Sequence, residues 1–76
     1  MPKPYVSGTV TEWRDEEGWG VISSPDVPGL IWAHFSDIDM EGFRTLSVGQ
    51  EVQLRAQDLG PNDQDGYRFR ATVVRP

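Results

Sequence analysis

The sequence predicts an all-β chain that closes into a small five-stranded barrel, and three observations predict it. Apolar and polar residues alternate in short runs, as in strands with one buried face. Eight glycines and six prolines separate those runs and leave room only for turns and short loops. Five strands in 76 residues must also hide their edges, and closing the sheet on itself does this most fully.

The elements come in this order. Tyr5 to Trp13 is the first strand, with Val6, Gly8 and Val10 on one face. Asp15-Glu16-Glu17-Gly18 is a polar turn, and Gly18 to Ser23 is the second strand. Ser24 to Gly29 holds two prolines and a glycine and reads as a loop, and Leu30 to His34 is the third strand. Phe35-Ser36-Asp37-Ile38 has room for one helical turn with Ser36 as its cap. A loop through Glu41 to Thr45 leads to the fourth strand, Glu51 to Ala56, with Val52 and Leu54 inward. Leu59 to Gly66 is a polar loop. In the fifth strand, Tyr67 to Val74, Phe69, Ala71 and Val73 alternate with Arg68, Arg70 and Thr72. The expected core is Val6, Val10, Ile22, Ile31, Ala33, Ile38, Val52, Leu54, Ala71 and Val73. Fully burying one such aliphatic side chain contributes about 1.5–3 kcal/mol.

Composition narrows the functional classes. At 76 residues the chain is expected to be one domain, 1–76, and to act as a monomer. It has no cysteine, hence no disulfide and no thiolate metal site, which suits a reducing cytoplasm. No run approaches the roughly 18 apolar residues of a membrane span, and Met1-Pro2-Lys3-Pro4 lacks the apolar core of a signal peptide. No nucleophile–base pair, phosphate-cradling glycine loop or metal cluster stands out, so no enzyme, cofactor or metal is expected. Seven Lys and Arg against twelve Asp and Glu give a net charge of −5, which opposes nonspecific attraction to phosphates.

The aromatic residues point the other way. In Glu17-Gly18-Trp19-Gly20-Val21-Ile22 and Ile31-Trp32-Ala33-His34-Phe35, the small and aliphatic Gly20, Ile22, Ile31 and Ala33 suit a packed interior. Trp19, Trp32 and His34 then point out of one sheet face if the two strands pair. Flat rings on an outer face suit stacking on unpaired bases. Arg68 and Arg70 share an outward phase and are the favoured phosphate partners, ahead of Arg44 and Arg55.

These runs, together with Gly8-Thr9-Val10-Thr11-Glu12-Trp13, Ser36-Asp37-Ile38, Gly42-Phe43-Arg44-Thr45-Leu46 and Val48-Gly49-Gln50-Glu51-Val52, resemble the bacterial cold-shock domain from about Val6 to Val73. The resemblance implies a Greek-key barrel of the OB-fold, binding single-stranded RNA or DNA, with pyrimidine-rich strands among the candidates. The family's base-stacking positions fall on Trp19, Trp32, His34, Phe35 and Phe43, with Trp13 at a neighbouring aromatic position. Phe35 could instead close the barrel edge, Phe43 could fold back on the barrel, and Trp13 is open between packing and binding. The chain departs from the family by having Thr11-Glu12 in place of Lys-Trp, Glu17 in place of a lysine and Val21 in place of a phenylalanine. Binding weaker than a typical member's is therefore expected, in the role of an RNA chaperone or expression regulator. Two other readings keep the same barrel: a protein-interaction module, and a scaffold that has lost its ligand.

Overall fold

A computed structural model describes residues 5–39, 45–60 and 66–76. Its strands are β1 (Val6–Arg14), β2 (Trp19–Ser23), β3 (Ile31–His34), β4 (Glu51–Asp58) and β5 (Phe69–Arg75), with one 3-10 turn, Phe35–Asp37, after β3. They form a closed barrel in the order β1-β2-β3-β5-β4, with β4 returning to β1. All neighbours are antiparallel except β3 and β5, which pair in parallel through Ile31–Phe69 and Trp32–Arg70. No helix among the described residues is long and apolar enough to cross a membrane.

The interior holds Val10, Ile22, Ile31, Ala33, Ile38, Leu46, Val52, Leu54, Phe69, Ala71 and Val74. Two expected core residues are corrected. Val6 is only half-buried, and Val73 gives up its place to Val74, which has no exposed surface. The cause is a β-bulge: Ala71 pairs with Ala56 and Val73 with Arg55, so Thr72 is unpaired and the side-chain phase shifts by one. β1 carries the matching irregularity. Val10 pairs with Ile22 and Glu12 with Val21, which leaves Thr11 out of register. Both extra residues are threonines, and each hydroxyl donates across the bulge, Thr11 to the Val21 carbonyl (3.2 Å) and Thr72 to that of Arg55 (3.4 Å). A polar β-branched side chain thus helps satisfy the ladder where the backbone pairing is interrupted.

The β1 bulge decides which side chains reach the outer face. Beyond it, Glu12 pairs with Val21 and Arg14 with Trp19, on the outside, while Trp13 pairs with Gly20 on the inside. A Cβ on Gly20 would collide with the Glu12 carbonyl and the Trp13 ring, so the absence of a side chain there lets the indole close over the barrel.

Candidate nucleic-acid interface

The outer face of β2 and β3 carries the expected aromatic residues. Trp19 stands beside His34, and Val21 beside Trp32. The Trp19 and Trp32 ring centres are 6.4 Å apart with planes 24° from parallel, and Trp32 and His34 are 5.7 Å apart at 23°. Phe35, the first residue of the 3-10 turn, extends the row, 4.6 Å from His34 and tilted by 43°. Its place is fixed by Gly18, whose carbonyl accepts from the Phe35 N–H at 2.8 Å. Gly18 has φ +74°, and a Cβ there would come 2.7 Å from the Phe35 ring, so the turn before β2 needs glycine twice over.

The rings differ in accessibility. Phe35 is 44% exposed, whereas Trp32 is only 7% exposed. Trp19 and His34 are intermediate. Trp32 does face outward, as its phase predicts, but neighbouring side chains cover it. The Arg70 guanidinium carbon lies 5.7 Å from the Trp32 ring centre, a cation–π distance, and Arg70 also reaches the Asp37 carboxylate at 3.4 Å. On the other flank the Arg14 guanidinium carbon lies 5.4 Å from the Trp19 ring centre. Its Nε donates to Glu12 at 2.8 Å, and Nη1 lies 3.8 Å from Glu17. The bond to Glu12, with that residue's charge, raises the Arg14 pKa above its ordinary value.

The remaining expected site residues lie apart from the row. Trp13 packs against the core, and its indole N–H donates to Asp15 at 2.7 Å. Arg68 is clamped by Asp58 through two hydrogen bonds, of 3.0 and 2.9 Å. Those bonds, then the Gly60 backbone N–H, hold the Asp58 carboxyl below the usual carboxylate range. Of the expected phosphate partners among the described residues, only Arg70 is placed against the row. Arg55 lies over Tyr5 instead, at 4.7 Å. Phe43 and Arg44 fall outside the described residues.

Sequence reasoning missed Arg14 and the partner of Arg70. The bulge turned Arg14 outward, and the only trace of it in the sequence is the three-residue spacing between the apolar Val10 and Trp13. Asp37 has no expected role beyond its place in the turn, yet its carboxylate reaches the arginine that lies on Trp32. Ser36, expected to cap the turn, is not its cap. His34 is, with its Nδ1 accepting from the Ser36 N–H.

A closed five-stranded barrel with a row of flat rings on the β2–β3 face places the chain among small OB-type barrels. The model of the family described as the 'Cold-shock' DNA-binding domain matches residues 6–69, so the chain belongs to the cold-shock domain family, whose general function is nucleic-acid binding. The cold shock-like protein CspD of Vibrio cholerae is 40% identical over 68 residues, covering 90% of this chain and 84% of that protein. A cold shock-like protein of Aquifex aeolicus is 44% identical over 47 residues, covering 62% of this chain and 67% of that protein. The cold shock-like protein CspC of Buchnera aphidicola is 36% identical over 53 residues, covering 70% and 77%.

Proposed function

We propose that this chain binds single-stranded RNA or DNA by stacking bases along Trp19, His34 and Phe35, with Trp32 as the ring that anchors the row. The observation that carries the reading is the run of four flat side chains on one outer face, each centred 4.6–6.4 Å from the next. Unpaired bases stack on such rings irrespective of sequence, at about 1–3 kcal/mol per base. Phosphates meet Arg70 and Arg14, but only by competing with Asp37, Glu12 and Glu17 for the guanidinium groups. Affinity is therefore modest and depends little on salt, because few phosphates are neutralised. Pyrimidine-rich strands, which are the least self-stacked, are the expected ligands, and an RNA chaperone or expression regulator acting as a monomer is the expected role. A titration of tryptophan fluorescence with oligothymidine and with uridine-rich RNA at low salt tests this. Quenching in the micromolar range is expected, and no change at high micromolar ligand rejects the reading.

The carboxylates on both flanking arginines also favour a second reading, a weakly charged protein partner on the same face. Amide shifts on β2 and β3 with an oligonucleotide would decide against it.

A further inference from the structure

The His34 ring is held in one tautomer by its own chain. Its Nδ1 lies 3.3 Å from the Ser36 backbone N and 2.7 Å from the Ser36 Oγ. A backbone N–H can only donate, so Nδ1 must present its lone pair. The Ser36 hydroxyl, directed at the same lone pair, then donates too. In the neutral imidazole the ring proton is left on Nε2, the nitrogen at the far side of the ring from the turn. Nε2 makes no hydrogen bond among the described residues. Trp32, centred 5.7 Å away at 23°, and Phe35, 4.6 Å away and tilted by 43°, restrain the ring plane. One residue of the row therefore carries a single N–H donor of fixed direction, and a stacked base meets that donor at its edge.

We infer that Ser36 is a positioning residue that locks His34 as the Nε2–H tautomer, and that this N–H donates to a ring carbonyl of the base bound at His34, so that the site favours carbonyl-bearing pyrimidines. The inference rests on the base-binding reading above for its ligand, but not for its tautomer. Thymine and uracil offer two carbonyl oxygens on the base edge. Adenine offers none, and places an exocyclic amine beside its ring acceptors. Stacking alone is indifferent to this distinction, because every base has a π-face. A hydrogen-bonding side chain that is already oriented supplies selectivity that stacking lacks.

Nitrogen-15 chemical shifts of the His34 ring in the free protein, at a pH where the ring is neutral, read the tautomer directly. A pyridine-type Nδ1 and a pyrrole-type Nε2 are expected. In Ser36→Ala, which leaves only the longer backbone bond, the two shifts move toward a mixture. Ser36→Thr restores them, because it keeps the hydroxyl. Titration with a thymidine hexamer then tests the donor. Ser36→Ala weakens binding about two- to fivefold and His34→Phe, which keeps a flat ring without the N–H, about three- to tenfold, the range of one net hydrogen bond. In the His34→Phe background Ser36→Ala has no further effect. A pyrrole-type Nδ1 in the free protein, or an equal Ser36→Ala loss with and without His34, overturns the inference. A protein with the expected tautomer but no hexamer binding overturns the carbonyl contact together with the base-binding reading, while a bound hexamer with the wrong tautomer overturns the positioning role and the Nε2–H contact and leaves the base-binding reading standing.

Discussion

The Arg70 guanidinium lies over the Trp32 ring, 5.7 Å from its centre, and Trp32 retains only 7% of its surface exposed. The ring at the middle of the row is thus occupied before any ligand arrives. Asp37, whose side chain is 16% exposed, reaches the same guanidinium at 3.4 Å and favours that position. A nucleic-acid strand that uses Arg70 for a phosphate must exchange one anion for another.

Asp37→Asn removes the competing anion. Oligothymidine binding should tighten about two- to fivefold at low salt, as for a partly exposed ion pair. The dependence of log K on log salt should steepen by about 0.7, because one more phosphate is neutralised. A fluorescence titration over a salt series measures both. Unchanged affinity and slope would mean that Arg70 never leaves Trp32 for the ligand.

Trp19→Ala and Trp32→Ala should separate binding from folding. Trp19 is half-buried and does not pack on the core cluster, so its loss should cost ~1–3 kcal/mol of oligonucleotide binding and about 1 kcal/mol or less of stability. Trp32 is covered on nearly all sides, so its truncation should destabilise the fold by about 3 kcal/mol. Urea unfolding paired with binding isotherms distinguishes the two. Equal stability losses would mean that Trp32 is not held as its burial implies.

Gly20→Ala should destabilise the barrel by about 1–3 kcal/mol, because the new methyl group has to displace the Trp13 ring or the Glu12 carbonyl. Near-ultraviolet circular dichroism should report the disturbed indole. A variant as stable as the parent would show that Trp13 does not close over Gly20.

The Asp58–Arg68 pair sets a pH dependence. Hydrogen bonding to Arg68 lowers the Asp58 pKa from its ordinary 3.8. The pair's contribution is therefore fully present above pH 3.8 and is lost as the pH falls through the depressed value. Asp58→Asn removes that part of the acid sensitivity. Urea midpoints of parent and variant should converge on acidification below this range, by a small amount because both groups are exposed. A gap that widens in acid would reverse the assigned sign.

Much of this site was legible in strand alternation. Gly20, Ile22, Ile31 and Ala33 marked the interior phase, and Trp19, Trp32 and His34 then had to face outward, as they do. Alternation has no memory of an inserted residue, however. Thr11 and Thr72 look like ordinary strand threonines, yet each shifts the phase of the residues after it, sending Trp13 inward, Arg14 outward and Val74 into the core. Phase also says which face a ring occupies and nothing about the side chains that lie on top of it. Arg70 is 38 positions from Trp32 in the chain, and only the parallel pairing of β3 with β5 brings them together.

That pairing has a consequence for the chain as it is made. The first three strands and the 3-10 turn end at residue 37, but the neighbour that completes their outer face arrives only with residue 70. A polypeptide emerging from its ribosome holds Trp19, Trp32 and His34 well before it holds the edge that seats them. The newborn protein therefore completes this outer face only after its fifth strand has cleared the ribosome and closed the sheet.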